Sequence, residues 1–419
     1  MRSYPLNGKL EVVYPAFGLV ALTLGAALTL ASAAHNLTSF EFLRFSAFVA
    51  ICGMSTLGAG FSIEHQATKN LSKGLLLGNI SLIELLRSPL KTASLVSAVV
   101  ILSVRLLASL NESGLYANLY IPIVIFIGIT LTFSALRGWA AALRSPVALA
   151  NSNLVAGIST LVLPLILLKQ IDPVSAYLYG YSFTFAGSVC YLTFKLYQYN
   201  RRPDFAIEEV VSAVNVDSKL TWAYQGLTVV YLGSTLVLSN VHAVGEEVMA
   251  AQAQLYLASA KAVPQILLGM ISLALAFMSR INSKGHATQT RSWLSATLGI
   301  SLVASFATCL VMPKLIYLLT GNKLILNEKF IILIYVSMIF LALSLVFIPQ
   351  FIYGSNYKFM SIIWWASGAF IAIGFTPFIS KRLSDGIVII LISSIITFVL
   401  SIVFSSRISK VSEITSNVV

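Results

Sequence analysis

The sequence predicts an all-α polytopic membrane protein, with about twelve transmembrane helices in two pseudo-symmetric bundles of six helices. Apolar stretches of membrane-spanning length fill almost the whole chain of 419 residues. Hydrophobic residues make up 58% of the chain and charged residues only 10%, with a mean hydropathy of +0.88. Since a soluble domain carries about 25% charged residues, this composition is that of a chain whose surface faces lipid.

The individual spans follow from length, because a helix needs about 20 apolar residues to cross a hydrocarbon core of about 30 Å. The predicted spans are 14–35, 42–63, 92–110, 115–136, 145–168, 174–197, 220–241, 248–278, 293–312, 330–348, 359–379 and 386–405. The first stretch follows Arg2, Lys9 and Glu11 and lacks a small-residue cleavage site, so it is predicted to be a retained helix rather than a signal peptide.

The order of the elements predicts an internal repeat. An N-terminal bundle of six helices occupies residues 1–197, a cytoplasmic linker follows at 198–219, and a C-terminal bundle of six occupies 220–419. In each half an inner turn with a glycine, Gly138 or Gly354, is predicted between the fourth and fifth spans. Many transporters consist of two related bundles with the substrate between them.

The distribution of cations predicts the orientation. With the amino terminus inside, eighteen of the 27 Lys and Arg residues fall on the inner side and six on the outer side. The remaining three, Arg44, Arg105 and Lys261, lie within spans. The positive-inside rule therefore places both termini in the cytoplasm. The net charge of +12 has this origin, and no nucleic-acid partner is predicted.

Motifs of enzymes and of metal or cofactor sites are missing from the sequence. Cys52, Cys190 and Cys309 fall in separate spans, so neither a disulfide framework nor a clustered metal site is predicted. No phosphate-binding loop of the GxxxxGK[ST] kind occurs, and no Ser/His/Asp set can be argued. The chain is therefore predicted to be a transporter without a cofactor, not an enzyme.

Cations inside spans are the first candidates for a binding site, because a charge in hydrocarbon costs about 2.5–3.5 kcal/mol on insertion scales. Arg44 lies near the start of its span, where it either snorkels to the interface or faces a lumen. Lys261 lies near the middle of its span, with no acidic partner in the surrounding sequence. It either donates a structural hydrogen bond to a neighbouring helix or meets an anion in a water-filled cavity.

Neutral polar residues are the second group of candidates. Gln225, Gln252, Gln254 and Asn153 can bind sugar hydroxyls, although hydrogen bonds between helices are an equal alternative. Pro264 follows Lys261 by three residues and is either a hinge or an ordinary membrane proline.

Acidic residues are absent from the middle of every predicted span, whereas ion-coupled antiporters normally keep an intramembrane carboxylate. Glu41, Glu247 and His35 remain candidates for a titratable coupling group near an interface, with solvated loop residues as the alternative.

Three segments carry a resemblance to a known family: "FEFLRFSAFVAICGMSTLGAGFSIEHQATK", "ALRGWAAALRSPVALANSNL" and "EEVMAAQAQLYLASAKAVPQILLGMISLALAFMSRI". Together with the order of elements, they resemble the polysaccharide transporter family of the multidrug/oligosaccharidyl-lipid/polysaccharide (MOP) exporter superfamily. The resemblance covers nearly the whole chain and rests on the pattern of residue types along the helices rather than on invariant residues.

The resemblance implies a flippase of the bacterial inner membrane that moves a polyprenyl-pyrophosphate-linked oligosaccharide, such as an O-antigen or capsule unit, by alternating access. Arg44 and Lys261 correspond in kind to the cavity cations that attract pyrophosphate in such flippases. Membrane lipid and other polysaccharide-assembly proteins would be its partners. The alternatives are a multidrug or small-metabolite exporter of the same superfamily and a membrane polysaccharide polymerase or ligase, which would be expected to have a long outer loop with Arg and His.

The predicted orientation can be tested with fusions to alkaline phosphatase, an enzyme that is active only outside the cytoplasm. A fusion after residue 170 is expected to be active and a fusion after residue 419 inactive, because the positive-inside rule places the first outside and the second inside. Activity at the C-terminal fusion would contradict the assignment of both termini to the cytoplasm.

Overall fold

A computed structural model gives the fold over residues 8–74, 82–110, 119–143, 145–201, 218–239, 241, 246–268, 271, 326–353, 356–373 and 382–416, with isolated residues between 299 and 316. Every regular element within these ranges is a helix, so the predicted all-α class is confirmed. The chain divides into two compact units, the first made of the described residues up to Thr221 and the second of those from Trp222 onward.

The helices follow one another in chain order. The first seven are α1 (Gly8–Asn36), α2 (Ser39–Gly74), α3 (Leu82–Leu110), α4 (Tyr120–Ala142), α5 (Pro146–Leu167), α6 (Pro173–Ser182) and α7 (Ala186–Asn200). The next are α8 (Ser218–Ser239), α9 (Glu247–Ala260), α10 (Glu328–Leu345), α11 (Ile348–Tyr353), α12 (Tyr357–Ile373) and α13 (Leu383–Ser416).

Seven helical segments in the described ranges are long and apolar enough to cross a membrane. These are Phe17–Asn36, Ser39–Thr68, Leu85–Arg105, Tyr120–Ala142, Pro146–Leu167, Glu328–Ile352 and Leu383–Ser406. The predicted ninth span, 293–312, lies outside the described residues apart from isolated positions, as does the middle of the predicted linker, 202–217.

Three boundaries predicted from the sequence are wrong. The second span continues past residue 63, because α2 extends to Gly74. The sixth span is two helices, α6 and α7, separated by a turn at residues 183–185. Gly138 lies inside α4 rather than in an inner turn, since that helix continues to Ala142.

Glycines in the first unit bring α1 and α5 into close contact. A Cβ atom on Gly18 would lie 2.5 Å from the carbonyl oxygen of Ala150, and one on Gly157 would lie 2.5 Å from that of Ala21. Small residues allow this approach between membrane helices, where dispersion and hydrogen bonds replace the hydrophobic effect as the force of association. The Thr29 hydroxyl adds a hydrogen bond of 2.9 Å to the carbonyl of Thr160 across the same contact.

Aromatic rings fill the space between α2, α4 and α6 in the first unit. The Tyr181 ring lies 5.9 Å from Phe45, 6.1 Å from Phe48 and 5.4 Å from Phe126, measured between ring centroids. The two phenylalanines on α2 meet Tyr181 edge to face, and Phe126 stacks on it, which are both favourable arrangements for aromatic pairs. These rings fix α6 against α2 and α4, just before the turn that ends the helix.

In the second unit, hydrogen bonds and stacked aromatic rings join α8, α12 and α13. The Ser393 hydroxyl donates a hydrogen bond of 2.9 Å to the carbonyl of Ser367, which joins α13 to α12. The Trp222 and Trp365 rings stack at 4.4 Å, which joins α8 to α12. The Glu246 carboxylate accepts a hydrogen bond of 2.7 Å from the Leu383 amide at the start of α13, where backbone N–H groups lack helical partners.

Replacement of Gly157 by alanine is expected to destabilise the first unit by about 1–3 kcal/mol, because the new methyl group meets the backbone of α1. The measurement is thermal unfolding of the purified protein in detergent. Gly128→Ala is the matched control, since a Cβ there would meet no atom of the described chain within 4 Å. Equal unfolding temperatures for the two variants would contradict the close contact of α1 and α5.

Candidate functional site

Lys261 lies at an interruption of the predicted eighth span. Helix α9 ends at Ala260, Lys261 forms a turn, and residues 262–268 are helical again. Pro264 explains the interruption, because it has no N–H to donate to the carbonyl of Ala260, four residues earlier. The flanking bonds are kept: the amide of Lys261 donates to Leu257, and that of Gln265 donates to the carbonyl of Lys261, each at 3.0 Å.

The side chain of Lys261 is buried against α8 and surrounded by neutral groups. Only 6% of the residue is exposed. Its ammonium donates a hydrogen bond of 2.5 Å to the hydroxyl of Thr235 and lies 5.2 Å from the centroid of the Tyr231 ring. No carboxylate of the described residues forms an ion pair with it. The positive charge is therefore stabilised by one hydroxyl dipole and one aromatic face.

Tyr231 contacts both ends of Lys261. Its ring faces the ammonium, and its phenolic hydroxyl donates a hydrogen bond of 3.3 Å to the backbone carbonyl of the same lysine. That carbonyl also accepts a hydrogen bond from the amide of Gln265, so it has two donors. The carbonyl of Ala260, one residue earlier, is the one that loses its helical donor because of Pro264.

Gln254 joins the same cluster through Thr235. Its side-chain amide donates to the backbone carbonyl of Thr235 and, at 3.0 Å, to the hydroxyl of Ser239. Tyr231, Thr235 and Ser239 therefore form one polar stripe on α8 that contacts α9 and Lys261. We call these three residues with Lys261 and Gln254 the Lys261 cluster. The sequence analysis missed its α8 members, although their spacing of four residues is the signal of a shared helix face.

Two other neutral candidates lie elsewhere in the second unit. The side-chain oxygen of Gln252 accepts a hydrogen bond of 3.0 Å from the amide of Leu326, so Gln252 bridges α9 to the segment before α10. Gln225 is half-buried on α8.

Arg44 and Asn153 belong to the first unit rather than to the Lys261 cluster. Arg44 is half-buried on α2, six residues into the helix. Asn153 lies on α5 with 1% of its surface exposed, and neither polar atom of its side chain has a hydrogen-bond partner among the described residues. The candidates from the sequence are therefore divided between the two units.

The candidate coupling groups lie at helix ends. The Glu41 carboxylate accepts hydrogen bonds of 2.9 Å from the amide and the hydroxyl of Thr38, and so caps α2. Glu247 is exposed at the start of α9, and His35 is exposed at the end of α1. No group of three or more His, Cys, Asp and Glu in the described ranges is arranged to hold a metal ion.

A buried carboxylate in the first unit corrects the expectation from the sequence. Because α2 is longer than predicted, Glu64 lies within its apolar segment, and the residue is 2% exposed. Its carboxylate lies 3.3 Å from the Nε atom of Arg137 on α4. The Thr68 hydroxyl donates a hydrogen bond of 3.3 Å to the carbonyl of Gly138 next to this pair. Loss of either partner would remove the opposite charge from a buried ion pair, which is destabilising.

Comparisons with known proteins give matches only among solved structures. No family model matches the chain, and no curated protein matches its sequence. A variant of the Vibrio cholerae MATE transporter VcmN has 13% identity, a TM-score of 0.65 and coverage of 96% of this chain and 95% of its own. A MOP superfamily transporter from Pyrococcus furiosus has 14% identity, a TM-score of 0.60 and coverage of 96% and 97%.

A eukaryotic MATE transporter is similar at 11% identity and a TM-score of 0.61, with 95% of each chain covered. These similarities show that the chain has the helical fold of multi-pass membrane transporters. More particularly, the fold is the one shared by MATE transporters of the MOP superfamily.

Replacement of Thr235 by valine is expected to destabilise the second unit by about 1–3 kcal/mol, because it removes the hydroxyl that accepts the hydrogen bond of a buried ammonium. Thr235→Ser keeps the hydroxyl and is the control. Thermal unfolding in detergent measures both variants. If the valine and serine variants gave the same unfolding temperature, the hydrogen bond from Lys261 to Thr235 would make no contribution to stability.

Proposed function

We propose that this protein is a flippase that moves a polyprenyl-pyrophosphate-linked oligosaccharide across a bacterial cytoplasmic membrane by alternating access. The observation that carries the proposal is the buried ammonium of Lys261, whose partners among the described residues are all neutral. A buried charge of this kind needs compensation, and an anionic cargo supplies it.

Phosphate chemistry fits this ammonium. A lysine side chain has three donors, and the hydroxyl of Thr235 accepts from one of them. In the proposed complex the remaining donors form charge-assisted hydrogen bonds to phosphate oxygens. A compact point charge on a flexible stem suits an anion that must bind and leave again, whereas the fork of an arginine suits a fixed bidentate partner.

Neutral groups would accommodate the sugars. Gln254 is joined to Lys261 through Thr235, whose backbone carbonyl accepts a hydrogen bond from Gln254 and whose hydroxyl accepts one from Lys261. Amide side chains donate and accept at once, as sugar hydroxyls require. The polyprenyl tail would stay in the lipid, which the apolar outer surface of the helices favours.

Pocket polarity has been used to reason about the function of one similar structure. The Pyrococcus furiosus transporter is described as having a binding pocket of reverse polarity that suggests a different function. By the same reasoning, a cation in the Lys261 cluster favours an anionic cargo over a cationic drug.

Complementation of a strain that lacks its lipid-linked oligosaccharide flippase tests the proposal. Wild type is expected to restore surface polysaccharide, Lys261→Ala to reduce it at least about tenfold through loss of the charge, and Lys261→Arg to restore part of it. Lys169→Ala is the matched control, because that lysine is exposed in the turn after α5. All variants are compared at equal membrane levels.

The outcomes of this experiment separate two questions. Equal rescue by Lys261→Ala and wild type would make the lysine structural. Failure of wild type in strains with several different oligosaccharides would argue against the flippase assignment itself.

Export of multidrug substrates is the second candidate, favoured by the similarity to multidrug resistance MATE transporters over 96% of the chain. In an efflux-deficient strain, this candidate would lower susceptibility to amphipathic drugs and leave surface polysaccharide unchanged. The flippase assignment gives the opposite pair of results.

A further inference from the structure

We infer that Tyr231 is a positioning residue that couples the binding of an anion at Lys261 to the conformation of the helix interruption at residues 260–264. The inference rests on the proposed function in one respect: it takes the ammonium of Lys261 as the site that meets an anion. It adds the path by which binding would change the protein.

The geometry gives Tyr231 two contacts on one residue. Its ring faces the ammonium at 5.2 Å, and its hydroxyl bonds the carbonyl of Lys261 at 3.3 Å. Tyr231 is 4% exposed on α8, so its position is fixed by packing. A change at the side-chain end of Lys261 therefore reaches the backbone end through one rigid ring.

The backbone end lies at the interruption of the helix. Pro264 has no N–H to donate to the carbonyl of Ala260, and the phenol of Tyr231 bonds the next carbonyl along the chain, that of Lys261. The amide of Gln265 donates the helical hydrogen bond to the same carbonyl of Lys261, at 3.0 Å. The turn is thus held in part by a group that also senses the ammonium.

An anion would compete with Tyr231 and Thr235 for the ammonium. A phosphate group carries a full negative charge, whereas the present partners are a hydroxyl dipole and the negative face of a ring. The anion therefore binds the ammonium more strongly than these partners do. Once the ammonium leaves the ring, the side chain no longer holds Lys261 in register with Tyr231. The bond from the phenol to the carbonyl then weakens, and the turn at 260–264 is free to change shape.

Hydrogen exchange on the full-length protein in detergent tests the coupling, with inorganic pyrophosphate as the probe. In wild type, pyrophosphate is expected to raise exchange at the Gln265 amide about fivefold or more, since loss of one stabilising hydrogen bond corresponds to such a factor. Tyr231→Phe keeps the ring and loses the hydroxyl. It is expected to bind pyrophosphate within about threefold of the wild-type affinity, measured by calorimetry, without the exchange response.

Two variants serve as references. Lys261→Gln is expected to lose both binding and response, because it loses the charge. Tyr191→Phe removes a phenol in the first unit, where it contacts Asn151, and is expected to behave as wild type.

Each failure has its own signature. Absence of pyrophosphate binding in wild type would overturn the anion site, and with it the basis of the proposed function. Binding with an unchanged exchange response in Tyr231→Phe would overturn the coupling and leave the anion site standing. A change in the basal exchange of Tyr231→Phe, with the pyrophosphate response intact, would also overturn it, because it would show a purely structural role.

Discussion

Hydrocarbon offers no hydrogen bonds, and the remaining features of both units follow from that constraint. Backbone groups are satisfied within each helix, which is why the described elements are all helical. Serine and threonine side chains follow the same rule by bonding to a carbonyl of their own helix, as Ser55 does to Ile51 at 2.6 Å and Thr397 does to Ser393 at 2.8 Å. Such residues add no unpaired polar group, so they are free to occupy apolar helices.

The same constraint decides how the helices associate. Lipid tails are as apolar as leucine, so contacts between helices depend on close fit and on a few hydrogen bonds that cross from one helix to another. In the contact of α1 with α5, Gly157 allows the close fit, and Thr29 forms a hydrogen bond between the two helices. In the second unit the hydroxyl of Ser393 and the stack of Trp222 on Trp365 have the equivalent roles.

Charges are the exceptions, and the two units treat them differently. In the first unit Glu64 and Arg137 form a buried ion pair that joins α2 to α4. In the second unit Lys261 is held by Thr235 and Tyr231, neither of which carries a charge. Among the described residues, Lys261 is thus a buried cation without a counter-charge, at a turn that interrupts its helix.

The sequence by itself determined the all-helical membrane class and predicted a span that contains Lys261, because hydropathy and segment length are properties of consecutive residues. Only the tertiary structure decided which groups surround that lysine, since Thr235 and Tyr231 lie on a different helix and no local pattern connects them to it. Tertiary packing likewise extended α2 far enough to bury Glu64, where the carboxylate is tolerated because Arg137 lies on the facing helix. The predicted second span ends at residue 63, just before Glu64, because hydropathy carries no information about a partner on another helix.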